Sequence, residues 1–209
     1  MSLALQSQED MDNFLPYLTT SGLAYLSLSS RDADRRNVLQ VWPVWTASVT
    51  ADFLARSACS LTTLCLKRLP ITDRQAIILL ELMPDLTSLQ IEELEDPGVT
   101  SNRVVTDTFL QQLVVDQESY RLGQAGDSFL PRLTDIRLRL HGNNLSEQDL
   151  FAVVSSRWIP EVARQAETGI ACLTSVDITV MGGDSKLESL QCYRDAGLRL
   201  NVTYQPIVG

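Results

Sequence analysis

The sequence predicts an α/β solenoid, an array in which strands and helices alternate along a single domain. A leucine-based phrase recurs along the 209 residues, apolar and polar residues alternate within it, and a helix-forming segment follows it. The copies of the phrase occupy residues 23–28, 61–66, 86–91, 133–138 and 173–178, with a weaker copy at 198–202. Self-similarity of this kind is typical of repeat proteins whose units stack on their neighbours.

Each copy of the phrase has the pattern of a strand that is buried on one face. In the second copy, Leu64 and Leu66 alternate with Thr63, Cys65 and Lys67. A period of two places the leucines on one side of a strand and the other three side chains on the opposite side. Strand cores are therefore predicted near 23–29, 61–67, 86–92, 133–140, 173–180 and 198–203.

A capped helix follows the second strand. Thr72 and Asp73 can accept hydrogen bonds from the free N–H groups of a helix that begins at this point. The helix is expected over 74–83, and Pro84 ends it because proline cannot continue the helical hydrogen-bond ladder. Ser146 is the equivalent cap of a later helix, and Gly197 suits a left-handed helix C-terminus. Further helices are predicted over 107–118, 146–157 and 184–196.

A strand, a bend, a capped helix and a new strand form the unit of a leucine-rich repeat. The sequence thus predicts a single leucine-rich-repeat-like domain over residues 1–209, with about five to six repeats. Parallel strands would line its concave face and helices its convex face. Only the interval from 61 to 86 falls within the ~20–29 residues typical of such units. The other units need longer helices or loops, and the least regular stretch, 92–128, is expected to bulge outward.

The side chains that alternate with the buried leucines are predicted to face the concave side of the sheet. They form a polar stripe of mixed charge, which is either a solvated surface or a binding surface for a protein partner. The candidate partner-binding residues are Tyr25, Ser27, Thr63, Lys67, Ser88, Gln90, Glu92, Asp135, Arg137, Arg139, Ser175, Asp177, Arg199 and Asn201.

The charge and hydropathy of the chain disfavour nucleic acids and membranes as partners. A formal net charge of −9 repels phosphate backbones, so nucleic-acid binding would need a local basic patch. Arg132, Arg137 and Arg139 are the one candidate, and we interpret them as a solvated face. The longest apolar run, residues 76–80, is far shorter than the ~20 residues of a membrane helix.

The cysteines and the N-terminal sequence favour the cytoplasm or the nucleus. No basic segment precedes the first apolar residues, so no secretory signal is evident. The four cysteines are Cys59, Cys65, Cys172 and Cys192. No Cys-x-x-Cys pair occurs among them, and reduced thiols are the simplest interpretation.

The sequence predicts no enzymatic activity, no cofactor and no metal site. His141 is the only histidine, and it lies in a turn-forming His-Gly-Asn-Asn cluster. Glu92, Glu93 and Glu95 are interpreted as a solvated acidic loop rather than a pair of catalytic carboxylates. Nucleophile-elbow and phosphate-binding motifs are lacking, as is zinc-ligand spacing. A hydrolase remains only a remote alternative.

Residues 53–94, FLARSACSLTTLCLKRLPITDRQAIILLELMPDLTSLQIEEL, resemble the repeats of F-box-type leucine-rich-repeat proteins of mushroom-forming fungi (basidiomycetes). In that family a Leu-Thr-x-Leu-x-Leu strand precedes a bend, Thr-Asp, and a helix that closes on Leu-Pro-x-Leu. The C-terminal sequence KLESLQCYRDAGLRLNV is similar to the closing helix and strand of the same family. The resemblance extends over roughly residues 50 to 203.

The resemblance implies a non-enzymatic substrate-recognition module of a cullin-type ubiquitin ligase, which binds an unknown protein partner on the concave sheet. The F-box itself is not found in this sequence, because residues 14–18 (FLPYL) better fit the end of a preceding repeat helix. Docking to a ligase adaptor is therefore expected only if an F-box is supplied upstream. The alternative is an F-box-independent leucine-rich-repeat scaffold, or a truncated gene product, with no ubiquitin role.

Overall fold

The computed structural model describes residues 2–5, 12–29, 47–69, 71–93, 103–117, 128–142, 145–182 and 187–206. Within these residues, seven strands form one parallel sheet whose spatial order is the order of the chain. The strands are β1 (Ser2–Leu5), β2 (Tyr25–Ser29), β3 (Thr63–Lys67), β4 (Ser88–Glu92), β5 (Asp135–His141), β6 (Ser175–Met181) and β7 (Arg199–Gln205). A solenoid-like α/β arrangement, as predicted, is therefore confirmed.

Helices connect successive strands of the described chain. The α-helices are α1 (Ala47–Ser57), α2 (Asp73–Glu81), α3 (Asp107–Leu113), α4 (Glu147–Arg157), α5 (Val162–Thr168) and α6 (Gln191–Asp195), and short 3-10 helices cover Leu15–Tyr17 and Glu188–Leu190. In the described segments, none of these helices combines the length and the apolar character needed to cross a bilayer.

The six predicted strands all form, and each pairs with its neighbours in a single register. Leu26, Leu64, Leu89, Ile136, Val176 and Leu200 lie side by side across the sheet. All six are at least 93% buried. Burying one such side chain contributes about 1.5–3 kcal/mol, so this row and the parallel row of Leu28 and Leu66 account for much of the stability of the core.

One strand was not predicted. Ser2–Leu5 pairs in parallel with β2 and extends the sheet by one strand at its N-terminal edge. Its Leu3 and Leu5 align with Leu26 and Leu28 of β2. It pairs with the backbone edge that β2 would otherwise leave open.

The helix caps follow the sequence prediction, whereas several helix lengths do not. Thr72 and Gln75 form a reciprocal capping box at α2, and the Ser146 hydroxyl accepts a hydrogen bond from the Asp149 N–H at α4. Gly197 has a positive φ of 105°, as expected for the end of α6. However, α3 ends at Leu113 rather than at 118, α6 is only five residues long, and α1 and α5 were not predicted. Residues 184–186, at the start of the last predicted helix, lie outside the described residues.

The predicted outward bulge over 92–128 is too broad. Residues 103–117 contain α3, and Val104, Phe109 and Leu110 belong to the main hydrophobic core. The N-terminus of α3 is held by Thr106, whose hydroxyl accepts from the Phe109 N–H and donates to the Asp73 carboxylate at 2.6 Å. This part of the chain is thus a packed repeat. The rest of the predicted bulge, 94–102 and 118–127, lies outside the described residues.

A threonine ladder fixes the spacing of the strands. Its members, Thr62, Thr87, Thr134 and Thr174, each follow the first leucine of a phrase. Each donates its backbone N–H, over 2.7–3.0 Å, to the carbonyl of the equivalent residue one copy earlier, and its hydroxyl lies 3.0–3.2 Å from the same carbonyl. The N–H of the following residue donates to the same carbonyl. The Thr134 hydroxyl also lies 2.6 Å from the Asp135 carboxylate. In the first copy Ala24 accepts but has no hydroxyl, so the ladder begins at the second copy.

A buried arginine joins the helix layer to the turns that precede the strands. Arg157, at the end of α4, is fully buried and donates to the carbonyls of Leu113 (2.6 Å), Phe129 (2.6 Å) and Leu130 (2.9 Å). Leu113 is the last residue of α3, where the free carbonyls of the helix carry partial negative charge. Burying an uncompensated charge is costly, so these three bonds keep the guanidinium in one position.

We expect Thr87→Val to destabilise the domain by about 0.5–1.5 kcal/mol, since one hydroxyl bond is lost while the Thr62 carbonyl keeps its two N–H donors. The free energy of unfolding from urea titration measures this. Thr63→Val is the matched control, because Thr63 lies one residue from the ladder with its side chain on the opposite face. Equal urea midpoints for the two variants would show that the ladder hydroxyl has no energetic role.

Candidate functional site

In the part of the chain that the structure describes, no helix lies over the face of the sheet opposite the leucine rows, and we call it the open face. Register places its residues in three lateral rows. The first row is Tyr25, Thr63, Ser88, Asp135, Ser175 and Arg199, the second is Ser27, Cys65, Gln90, Arg137, Asp177 and Asn201, and the third is Ser29, Lys67, Glu92, Arg139, Thr179 and Thr203. All of the predicted partner-binding residues therefore lie on one face.

The open face is less accessible near its N-terminal strands than the sequence predicts. Ser27 is only 9% exposed and Cys65 only 3% exposed, so neither offers a contact surface. Both residues have larger side chains beside them. The Tyr25 phenol hydrogen-bonds both side chains, and the Cys65 thiol donates to Gln90 Oε1 at 3.3 Å. The bond with Cys65, together with partial burial, raises the pKa of the Tyr25 phenol above its usual value.

Ion pairs cross the C-terminal strands of the open face. Arg137 Nε lies 3.3 Å from Asp177 Oδ2, and Asn201 donates to the other oxygen of that carboxylate at 3.1 Å. Arg199 Nη2 lies 4.0 Å from Asp135 Oδ1. Both arginine side chains are more exposed, at 63% and 75%, than their carboxylate partners, at 33% and 42%. The outer layer of this part of the face is therefore cationic although its formal charge is balanced.

A second group of charges, which we call the rim cluster, consists of Lys67, Arg68, Glu92 and Arg139. Arg68 Nε and Arg139 Nη1 each lie 3.6 Å from the same oxygen of Glu92, and Lys67 faces Glu92 across the β3–β4 pair. Two arginines therefore share one carboxylate oxygen, and Lys67 is the register partner of the same residue. Alternation along β3 would place Arg68 on the leucine side, but its positive φ of 51° ends the strand and returns the side chain to the open face. Sequence reasoning missed Arg68 for this reason.

A shallow polar groove of about 260 Å³ lies on the open face between the first two rows. Its walls include Tyr25, Gln90, Asp135, Arg137 and Asp177. Hydroxyl, amide, carboxylate and guanidinium groups alternate along it, so it offers both donors and acceptors to an extended chain laid across the strands. The groove spans five strands, from β2 to β6.

Two residues interpreted as surface features are in fact buried. Glu93 is 6% exposed, and its carboxylate accepts from the Val105 N–H at 3.0 Å and from the His141 N–H at 3.3 Å. His141 is 5% exposed and is the last residue of β5 rather than part of a turn. The two-residue period of the strand places Glu93 on the same inward side as Leu89 and Ile91. This sequence pattern is the signal that identifies Glu93 as buried. Glu95 lies outside the described residues.

Desolvation of the Glu93 carboxylate raises its pKa, while the two N–H donors and the charges of Arg103 and His141 act in the opposite direction. Through its two hydrogen bonds, the Glu93 carboxylate links Val105, just before α3, to His141, the last residue of β5. The arrangement is a structural crosslink between β4, β5 and the chain that enters α3.

Within the described residues, no three histidine, cysteine, aspartate or glutamate side chains are grouped so that they could hold a metal ion. Comparisons of the chain with models of known protein families, with curated proteins and with solved structures found no match. The interpretation of the open face therefore rests on its own geometry and on the residues quoted above.

We expect Glu93→Gln to reduce the loss of stability that the domain shows as the pH rises from about 4.5 towards 7. A folded-state pKa above the ordinary value of 4.5 means that the folded protein holds the proton more tightly. Stability from this group is then fully present below pH 4.5 and is lost as the pH rises through the folded pKa. The uncharged amide removes that contribution.

Urea denaturation at a series of pH values measures this effect as the slope of unfolding free energy against pH. Glu81→Gln, a change at the exposed end of α2, is the control and should retain the wild-type slope. A wild-type slope in Glu93→Gln would contradict the argument, whatever the absolute stability of that variant.

Proposed function

We propose that the chain is a leucine-rich-repeat module that binds a protein partner on the open face of its sheet and has no catalytic role. The observation that supports this proposal is the polar open face, which successive strands form in one register. Leucine-rich repeats are strand-plus-helix units that stack into horseshoes with a strand-lined inner face, and their extended surfaces suit macromolecular ligands.

The mixed donors, acceptors and ion pairs of the open face favour a protein over a small molecule as the ligand. Small-molecule sites are usually enclosed and mainly apolar, whereas this groove is shallow and polar. Arginine and tyrosine are enriched among the residues that dominate protein interfaces, and Arg137, Arg199 and Tyr25 stand on this face.

The proposal extends to substrate recognition within a cullin-type ubiquitin ligase, in the cytoplasm or the nucleus. Its support is the resemblance of residues 53–94 and of the C-terminal sequence to F-box-type repeat proteins. All four cysteines are free thiols, in keeping with a reducing compartment. The open face would select the substrate, and an F-box supplied upstream would hold the ligase adaptor.

We expect a photoreactive p-benzoylphenylalanine at position 175, in the middle of the open face, to crosslink a specific protein in an extract of the host. The same residue at position 81, exposed on α2, is the matched control and should give no such adduct, because it lies on the helix side. Mass spectrometry identifies the adducts. Adducts only at position 81, or the same adducts at both positions, would contradict binding on the open face.

The ubiquitin role predicts that the longest product of the gene, but not residues 1–209 alone, co-purifies with a cullin-ligase adaptor from the host. Both forms should still crosslink the same partner through position 175. Failure of both forms to recover the adaptor would contradict the ubiquitin role. In that case a scaffold independent of any F-box becomes the better description.

A further inference from the structure

The last strand of the sheet has one open edge, which we call the β7 edge. Among the described strands, β7 pairs only with β6. The Arg199 N–H donates to the residue before β6, and the Gln205 carbonyl accepts from the residue after it. Because peptide groups alternate in direction along a strand, those of Leu200, Val202 and Tyr204 point away from β6. The β7 edge therefore presents the backbone groups of three residues to a further parallel strand.

A cavity of about 470 Å³ lies beneath the β7 edge, between the strand and the last helices. Leu187, Leu200, Val202 and Tyr204 line it, together with polar side chains of the helix layer. One strand further in, Ile178 has Val202 as its lateral neighbour and is fully buried. Val202 itself is only partly buried, and Tyr204 is 49% exposed. The cavity is thus the space that the apolar side chains of a further strand would fill.

The opposite edge of the same sheet shows what kind of segment such an edge accepts. Ser2–Leu5 pairs in parallel with β2, and its Leu3 continues the row of Leu26. The six described pairings are all parallel, and all of them keep the leucine rows in line. A strand added to β7 in the same way would continue the rows of Leu200 and Val202. It would therefore carry apolar residues at alternate positions.

Arg199 determines the charge that is favoured at the first position of the added strand. It is the first residue of β7 and the only charged residue of that strand. Its side chain is 75% exposed, and its Nη2 lies 4.0 Å from Asp135, which stands two strands away on β5. An acidic residue in the same row of an added strand would lie on the directly neighbouring strand. Opposite charges on neighbouring strands stabilise a sheet, so aspartate or glutamate is favoured at this position.

We propose that the β7 edge binds an extended segment of a protein partner as an eighth, parallel strand with the pattern acidic–Leu–x–Leu. The main chain of the segment bonds to Leu200, Val202 and Tyr204, its leucines enter the cavity, and its acidic residue pairs with Arg199. In strand addition of this kind, backbone pairing supplies affinity and the pockets for alternate side chains supply specificity. The β7 edge is separate from the open face, so this inference goes beyond the proposed function.

A second copy of this chain is a poorer occupant of the β7 edge. The edge strand that it could offer, Ser2–Leu5, begins with serine and contains no acidic residue to pair with Arg199. Two copies also repel each other, because each carries a formal charge of −9. Self-association through the β7 edge is accordingly an outcome that counts against the proposal.

The test uses the fluorescein-labelled peptide GSDLSLTK, with fluorescence anisotropy for affinity and NMR hydrogen exchange for position. With the peptide at ~3 times its Kd, the amides of Leu200, Val202 and Tyr204 should exchange about fourfold more slowly. The amides of Asn201 and Thr203, which point towards β6, should change little. The peptide GSDLLSTK has the same composition but no alternation. It should bind at least about tenfold more weakly, because one leucine no longer reaches the cavity.

Two variants of the chain locate the contact, and a third is the matched control. Arg199→Glu should weaken binding of GSDLSLTK about two- to tenfold and strengthen binding of GSKLSLTK by a similar factor, because the charges are exchanged. Val202→Pro should weaken binding of both peptides about two- to tenfold, since proline removes an outward N–H that β6 does not use. Thr203→Ala changes β7 only on the open face and should bind like the wild type. Thermal midpoints confirm that each variant is folded.

Equal binding of GSDLSLTK and GSDLLSTK would overturn the proposal, as would unchanged exchange of the three outward amides when the peptide is bound. Self-association of the wild type that slows exchange of the same amides would also overturn it, because a second copy would then be the occupant. The charge exchange at Arg199 keeps the test decisive if Val202→Pro does not fold. Crosslinking through position 175 reports on the open face, so its failure and the failure of this proposal are distinguishable.

Discussion

The structure depends on one repeated contact, in which a carbonyl at the start of each strand accepts hydrogen bonds from the strand that follows. Two backbone N–H groups and, in four copies, a threonine hydroxyl converge on it. Since the side-chain period of a strand is two, a slip of one residue would turn every leucine out of the core. The ladder and the leucine rows therefore enforce the same register, whatever the length of the connection between strands.

That register also builds the candidate site. Because equivalent positions align across the sheet, residues far apart in the chain come together in one row, as with the neighbours Glu92 and Arg139, or with Asp135 and Arg199, which reach each other across β6. The charge pattern of the open face is thus a property of the array and not of any single repeat. Arg68 joins it only because its left-handed backbone returns the side chain to that face.

Polar groups inside the core mark where the repeats deviate from one another. Arg157 satisfies the carbonyls at the end of α3 and in the turn before β5, and Glu93 satisfies backbone N–H groups near α3 and β5. Both lie around the repeat that contains α3, whose connections are the longest. Where a unit cannot repeat the geometry of its neighbours, a buried side chain takes over hydrogen bonds that a regular helix or strand would otherwise make.

The sequence by itself determined the strand positions, the inward leucine rows, the caps at Thr72 and Ser146, and the residues of the open face. These depend on short-range periodicity and local hydrogen bonding, which a single sequence contains. Only the tertiary structure decided that Ser2–Leu5 becomes a strand, that Ser27 is covered, that Glu93 and His141 are buried, and that Arg68 and Arg139 meet at Glu92. Those outcomes depend on contacts between repeats of unequal length, where neighbours in space are separated by long and irregular stretches of chain.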